Sequence, residues 1–197
     1  MSSDASPLEE LDQVLDAVTR LVAGVRPDQW TDPTPCAEWD VRRLVDHITT
    51  GNRMIAALAA REGTQDPEQM QEVRARLSPA PGDDPVVAER ESVERLRQSV
   101  GRPGFLEGTY PTFMGEQPGG FLVQMRITEN LIHGWDLARA TGQQAGFPDR
   151  VVERTLETLR FALAGRPRDP GGFGAEQPAP EGAPPLDRLA AFVGRSL

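Results

Sequence analysis

Phe121-Leu122-Val123-Gln124-Met125-Arg126-Ile127-Thr128-Glu129-Asn130-Leu131-Ile132-His133-Gly134-Trp135-Asp136-Leu137-Ala138-Arg139-Ala140-Thr141 carries apolar residues nearly all the way round a helical projection. That is the pattern of a helix buried at the centre of a bundle, and Gly142 supplies an ordinary C-terminal stop. Two polar residues interrupt the pattern on one face: Glu129 and His133 stand at i and i+4, where they can grip one ion together. The chain has only two histidines. If a second helix brings His47 opposite this face, the outcome is a two-histidine, one-carboxylate set that binds a divalent transition metal and leaves positions free for water or substrate.

Working outward, Ser6 to Val25 places Leu8, Leu11, Val14, Leu15, Val18, Leu21, Val22 and Val25 at three- and four-residue steps. Ser6-Pro7-Leu8-Glu9 opens that helix as a capping box with proline at the first position. A second periodic run, Val41, Leu44, Val45, Ile48, Ile55 and Leu58, follows Trp39-Asp40, with Asp40 as N-cap and His47 within the helix. Arg61 to Asp84 is polar and reads as a decorated loop, although Asp66-Pro67-Glu68-Gln69 has capping chemistry for a short helix to Leu77. A third main helix is expected from about Pro85 to Val100, with Val86, Val87, Val93, Leu96 and Val100 facing inward. Gly101 to Gly120 reads as a long, ordered loop. After Pro148 a fifth helix is expected from Val151, Val152, Leu156, Leu159, Phe161 and Leu163.

No alternating strand pattern or internal repeat competes with an all-α reading. The expected organisation is a bundle over residues 1–164, a Gly/Pro-rich linker over 165–185, and a short helix over 186–197 that docks back on the bundle.

Composition narrows the function classes. The net charge is -9, and all 21 positive residues are arginine. No basic stripe is available for a phosphate backbone, so nucleic acid is excluded as a partner. No apolar run approaches the roughly 20 residues that span a bilayer, and Met1 to Pro7 lack the regions of a signal peptide. A single cysteine, Cys36, forms no internal disulfide, which fits a reducing compartment. A cytoplasmic protein is expected.

Each candidate residue has a plainer reading. A lone histidine such as His47 usually sits at the edge of a core. Glu129, however, lies in a strongly apolar helix, where an unpaired carboxylate costs several kcal/mol. Either a cation shared with the histidines holds it, or a salt bridge to Arg126 or another arginine does. Asp136, three residues beyond His133, is placed to orient an imidazole. Cys36 could serve as a thiolate ligand or nucleophile but reads as a small buried residue. Trp39 and Trp135 read as core anchors rather than substrate platforms.

Thr34-Pro35-Cys36-Ala37-Glu38-Trp39-Asp40-Val41, then Leu44-Val45-Asp46-His47, and later Glu129 through His133-Gly134-Trp135-Asp136-Leu137-Ala138-Arg139-Ala140-Thr141-Gly142-Gln143 resemble the DinB-like metal-binding family of actinobacteria. In particular the chain is similar to the metal-binding N-terminal domain of mycothiol-dependent maleylpyruvate isomerases, in order and spacing over about residues 8–164. The resemblance implies an up-down-down-up four-helix bundle and a metal, zinc in the family, on His47, Glu129 and His133. It further implies homodimerisation and, in relatives, transfer or isomerisation chemistry on a thiol cofactor. The first functional reading is therefore a zinc-dependent mycothiol S-transferase, whose partners are a small-molecule thiol and an electrophile. A metal-binding protein without catalysis and a metal-dependent hydrolase stand beside it, because no general base beyond the ligands is evident.

Overall fold

A computed structural model of the chain describes residues 5–37, 39–165, 168 and 173–197. Residues 1–4, Glu38 of the family-like segment, and residues 166, 167 and 169–172 of the expected linker lie outside the described residues. The described chain is mostly helical, with seven helices and one small hairpin. None of its helices is long and apolar enough to cross a membrane.

Helix α1, Pro7–Ala23, starts where its capping box dictates. The Glu9 N–H donates to Ser6 Oγ at 3.2 Å, and the Glu9 carboxylate accepts from the Ser6 N–H at 2.7 Å. Helix α2, Val41–Ala59, is capped by Asp40, which accepts from the Arg43 N–H at 2.8 Å. Helices α3, Pro67–Leu77, and α4, Pro85–Val100, begin in the same way on Asp66 and Asp84, each with proline at the first position. Helix α5, Gly119–Thr141, ends on Gly142 in the left-handed conformation. Helix α6, Asp149–Leu163, and helix α7, Pro185–Phe192, complete the set.

Helix α1 packs against α4 and α5, and α2 packs against the same two helices, so the four enclose one apolar core. Leu15, Leu44, Ile48, Leu96, Leu122, Ile127 and Leu131 are wholly enclosed there. Burying such side chains contributes roughly 1.5–3 kcal/mol each relative to exposure. In α5, Gly134 leaves the space that the Phe147 ring occupies, which folds the segment after Gly142 back onto the helix. Helix α7 packs on α5 and α6, and the Trp135 indole N–H donates to Asp187 at 2.7 Å.

Three expectations are corrected. The polar stretch read as a decorated loop contains α3, which has a single buried residue, Met70. Its existence rests on the Asp66 cap and on packing against α2 rather than on an apolar stripe. The all-α reading misses a hairpin in the Gly101–Gly120 segment, β1, Thr109–Thr112, paired antiparallel with β2, Gly115–Pro118, in the register Thr109↔Pro118 and Thr112↔Gly115. Each strand has only four residues and each contains a proline, so alternation is invisible in sequence. The hairpin is held by Tyr110 buried against Phe105 and by Gly115 at φ +90° in the turn. Finally, Val87, expected to face inward, is 49 % exposed.

Candidate metal centre

Helix α2 presents His47 across the core to α5, which presents Glu129 and His133 one turn apart. Glu129 Oε2 lies 3.4 Å from His47 Nε2 and 3.5 Å from His133 Nε2, and the three donor atoms all lie within 4.8 Å of one another. Two donors held at about 2.0–2.1 Å by a tetrahedral ion stand about 3.3 Å apart, so these separations match a divalent ion shared by imidazole and carboxylate. The rings are fixed from the side by Trp39, the residue before the α2 N-cap. Its ring centroid lies 4.4 Å from that of His47 and 5.6 Å from that of His133.

Partners behind the imidazoles differ. His133 Nδ1 lies 3.2 Å from Asp136 Oδ2, and Asp136 is fully enclosed. Arg195, beyond α7, donates to both Asp136 oxygens from Nε and Nη2 at 2.8 and 2.9 Å. This arginine, carboxylate and imidazole chain holds the His133 Nδ1 proton and turns Nε2 toward Glu129. His47 Nδ1, by contrast, lies 3.1 Å from Arg74 Nη2 of α3. A guanidinium only donates, so this contact keeps a neutral His47 protonated on Nε2. Ligation through Nε2 requires the other tautomer, and the exposed Arg74 side chain must then swing away.

The charges follow from these contacts. Burial acts to raise the Glu129 pKa, yet hydrogen bonds to His133 and His47 and the charge of Arg126 hold it well below the usual carboxylate range. Burial pushes His47 below its ordinary 6.5, with Glu129 only partly opposing. For His133 burial acts in the same direction but is outweighed by Asp136 and Glu129, which raise it. Asp136 stays ionised against burial through His133 and Arg195.

The site opens on a cavity of about 370 Å³, walled by Met54, Ile55, Leu58, Met70 and Met125 and bounded by His47 and Glu129. The hairpin tip, Phe113 and Met114, lies at its mouth, exposed by 64 % and 43 %. A polar crevice of about 230 Å³ lined by Trp39, Arg43, Asp46, His47, Thr50, Arg74 and Ser78 lies on the other side of His47.

The structure thus brings His47, Glu129 and His133 together, with Asp136 behind His133. No Arg126–Glu129 ion pair forms among the described residues; Glu129 is engaged by the histidines instead. Cys36 is half-buried, and its sulfur lies within 4.8 Å of donor atoms of His133 and Asp136. Asp136 is already bound by Arg195 on both oxygens, so the first trio is the better ion cradle. Trp135 is a core residue, whereas Trp39 does more than anchor, since its ring packs at a tilt against both imidazoles. Sequence reasoning missed Arg74 and Arg195, which lie on segments without apolar periodicity.

The family model described as the mycothiol maleylpyruvate isomerase N-terminal domain matches residues 11–138. Two uncharacterized proteins of Mycobacterium tuberculosis, from strains CDC 1551 / Oshkosh and ATCC 25618 / H37Rv, are each 34 % identical to the chain over 194 residues. Each alignment covers 97 % of this chain and 98 % of the relative. Among solved structures, the mycothiol-dependent maleylpyruvate isomerase shares the fold with a TM-score of 0.61 at 20 % identity, over 79 % of this chain and 70 % of that one. A histidine-to-alanine mutant of that isomerase gives a TM-score of 0.60 at the same identity and coverage.

Proposed function

The chain belongs to the mycothiol maleylpyruvate isomerase N-terminal domain family, and from that premise we propose that it is a zinc-dependent thiol S-transferase that joins mycothiol to a small electrophile. The observation that carries the reading is the convergence of His47, Glu129 and His133 on one point at the edge of a ligand-sized cavity. A divalent ion held by these three supplies a Lewis acid that lowers the pKa of a thiol at neutral pH.

The chain's own residues do the rest. Asp136 and Arg195 keep the His133 proton on Nδ1, so that Nε2 presents a lone pair. Glu129 brings a negative charge that its two histidines keep ionised. The polar crevice beside His47 suits the hydroxyl-rich body of mycothiol, and the apolar cavity suits the electrophile. The walls of Met54, Leu58, Met70 and Met125 exclude water from the place where the new bond forms. In this reading the four packed helices are a DinB-like up-down-down-up bundle within residues 1–164, with 186–197 docked on it. The protein works in the cytoplasm as a homodimer.

The test is elemental analysis of untagged protein paired with calorimetric titration of mycothiol into the zinc-loaded form. Near-stoichiometric metal, with a heat of mycothiol binding that disappears on chelation, supports the transferase. Metal without thiol binding moves the assignment to a hydrolase or a non-catalytic binder. Failure to take up metal removes the site.

A further inference from the structure

One charge in the cavity wall acts on Glu129 only through space and makes no hydrogen bond of its own among the described residues. Arg126 is 3 % exposed, and its Nε and Nη2 have no hydrogen-bond partner among the described residues. The guanidinium end lies against Gly51, which also lines the cavity; a Cβ there would overlap Nη1. The absent side chain at Gly51 is what makes room for the cation. Its nearest acid, Glu129, is already engaged by two histidines. Burial lowers the Arg126 pKa only to about 10, so the group is charged at neutral pH. A buried cation with no hydrogen-bonded anion carries an uncompensated desolvation cost, which a ligand's anion would offset and an apolar replacement would remove.

We propose that Arg126 is the anchor for a carboxylate carried by the small molecule that enters the apolar cavity, so that the substrate class is a short apolar carboxylic acid rather than a neutral electrophile. This inference rests on reading that cavity as the electrophile's site. The surroundings fit such a molecule: Met54, Ile55, Leu58, Met70 and Met125 contact an apolar body, and Arg126 lies three residues before Glu129 on α5. The carboxylate therefore sits beside the metal centre, and the far end of the ligand points toward the hairpin tip. The cation is planar and pre-placed, and because the Arg126 side chain is buried its pairing with a carboxylate is less screened by water than a surface pair.

The experiment titrates hexanoate and its uncharged counterpart hexanamide into the full chain at pH 7.5, with zinc and after chelation, for wild type, Arg126→Met and Arg74→Met. In wild type hexanoate binds about 10- to 100-fold more tightly than hexanamide, the range expected for a charge-assisted hydrogen-bonded pair. In Arg126→Met that ratio falls to near one while hexanamide binding is kept, and the unliganded variant melts at or above the wild-type temperature. Arg74→Met removes the other cation that lines the cavity; the ratio measured after chelation should survive it, and a ratio lost there but kept in Arg126→Met assigns the anion to Arg74 and overturns the inference. Gly51→Ala, which retains Arg126 but displaces its guanidinium, lowers the ratio as well and serves if Arg126→Met does not fold.

A ratio near one in wild type overturns the inference, and so does a ratio that survives Arg126→Met. If the surviving ratio requires zinc, the anion sits on the metal, and the metal reading stands while this one fails. A ratio carried by Arg126 in protein that takes up no zinc has the opposite meaning.

Discussion

Glu89 offers the sharpest test of how charge is handled inside the helical core. It is fully enclosed on α4, its Oε1 accepts from Thr19 Oγ1 of α1 at 3.0 Å, and its Oε2 has no partner among the described residues. Burial pushes its pKa from 4.5 to about 7, against the weaker opposing effects of Thr19, Arg90 and Arg97. An acid whose folded pKa is raised favours the protonated native state. It therefore costs nothing below about 4.5, destabilises progressively as pH rises toward 7, and imposes a constant penalty above that. The rise from 4.5 to about 7 corresponds to ~3 kcal/mol. Glu89→Gln keeps the Thr19 hydrogen bond and removes the titration. Urea unfolding followed by circular dichroism at pH 5, 6, 7 and 8 should show wild type and variant nearly equal at pH 5. By pH 8 the variant should lead by about 3 kcal/mol. Parallel stability curves, offset by the same amount at every pH, would refute the reasoning.

The metal centre supplies the other predictions. Zinc uptake must displace a proton from His133, whose pKa is raised by Asp136 and Glu129, so apparent affinity climbs with pH, by up to about tenfold per unit, and levels once the folded pKa is passed. Competition with a chromophoric chelator from pH 6 to 8.5 reads this, and a flat profile would mean that His133 is no ligand. Asp136→Asn should weaken zinc binding by about 10- to 100-fold, because the Nδ1 proton exchanges an anionic acceptor for a neutral one or for an NH2 that cannot accept. The same change leaves Arg195 without its carboxylate, and denaturant titration should show a loss of about 3 kcal/mol. Arg74→Ala should instead tighten zinc binding by about fivefold, since about 1 kcal/mol of hydrogen bonding to the wrong His47 tautomer is gone. Unchanged or weaker binding, measured by the same competition, would show that Arg74 does not compete with the ion.

How much of this was legible in the sequence depended on whether a residue belongs to an apolar stripe. His47, Glu129, His133 and Asp136 could be named because α2 and α5 are long helices whose periodicity fixes which residues share a face, and spacings of three and four then place the donors. The same logic found the four packed helices, α6 and α7, and the caps on Ser6 and Asp40. It failed at α3, where Met70 alone is buried, and at the hairpin, whose turn chemistry is spread over residues 109–118 among prolines. Arg195 was invisible for another reason. It meets Asp136 across 59 residues of chain, through a Gly/Pro-rich stretch that carries no pattern at all.

The division has a physical cause that bears on function. Ligand atoms that must converge within a few tenths of an ångström need rigid, well-packed backbones, and helices with strong apolar stripes are the elements that packing holds most firmly. The residues that choose what those ligands meet have no such requirement. Arg74 and Met70 come from the polar helix α3, Phe113 and Met114 from the hairpin turn, and Arg195 from the end of the chain. From α3 only Met70 is buried against the α1, α2, α4 and α5 core, and the hairpin turn itself, Phe113 and Met114, is exposed. Arg126 is the exception that makes the substrate argument possible. It belongs to the rigid helix, borders the cavity, and has no hydrogen-bond partner for Nε or Nη2 among the described residues, so its charge persists whatever the outer walls become.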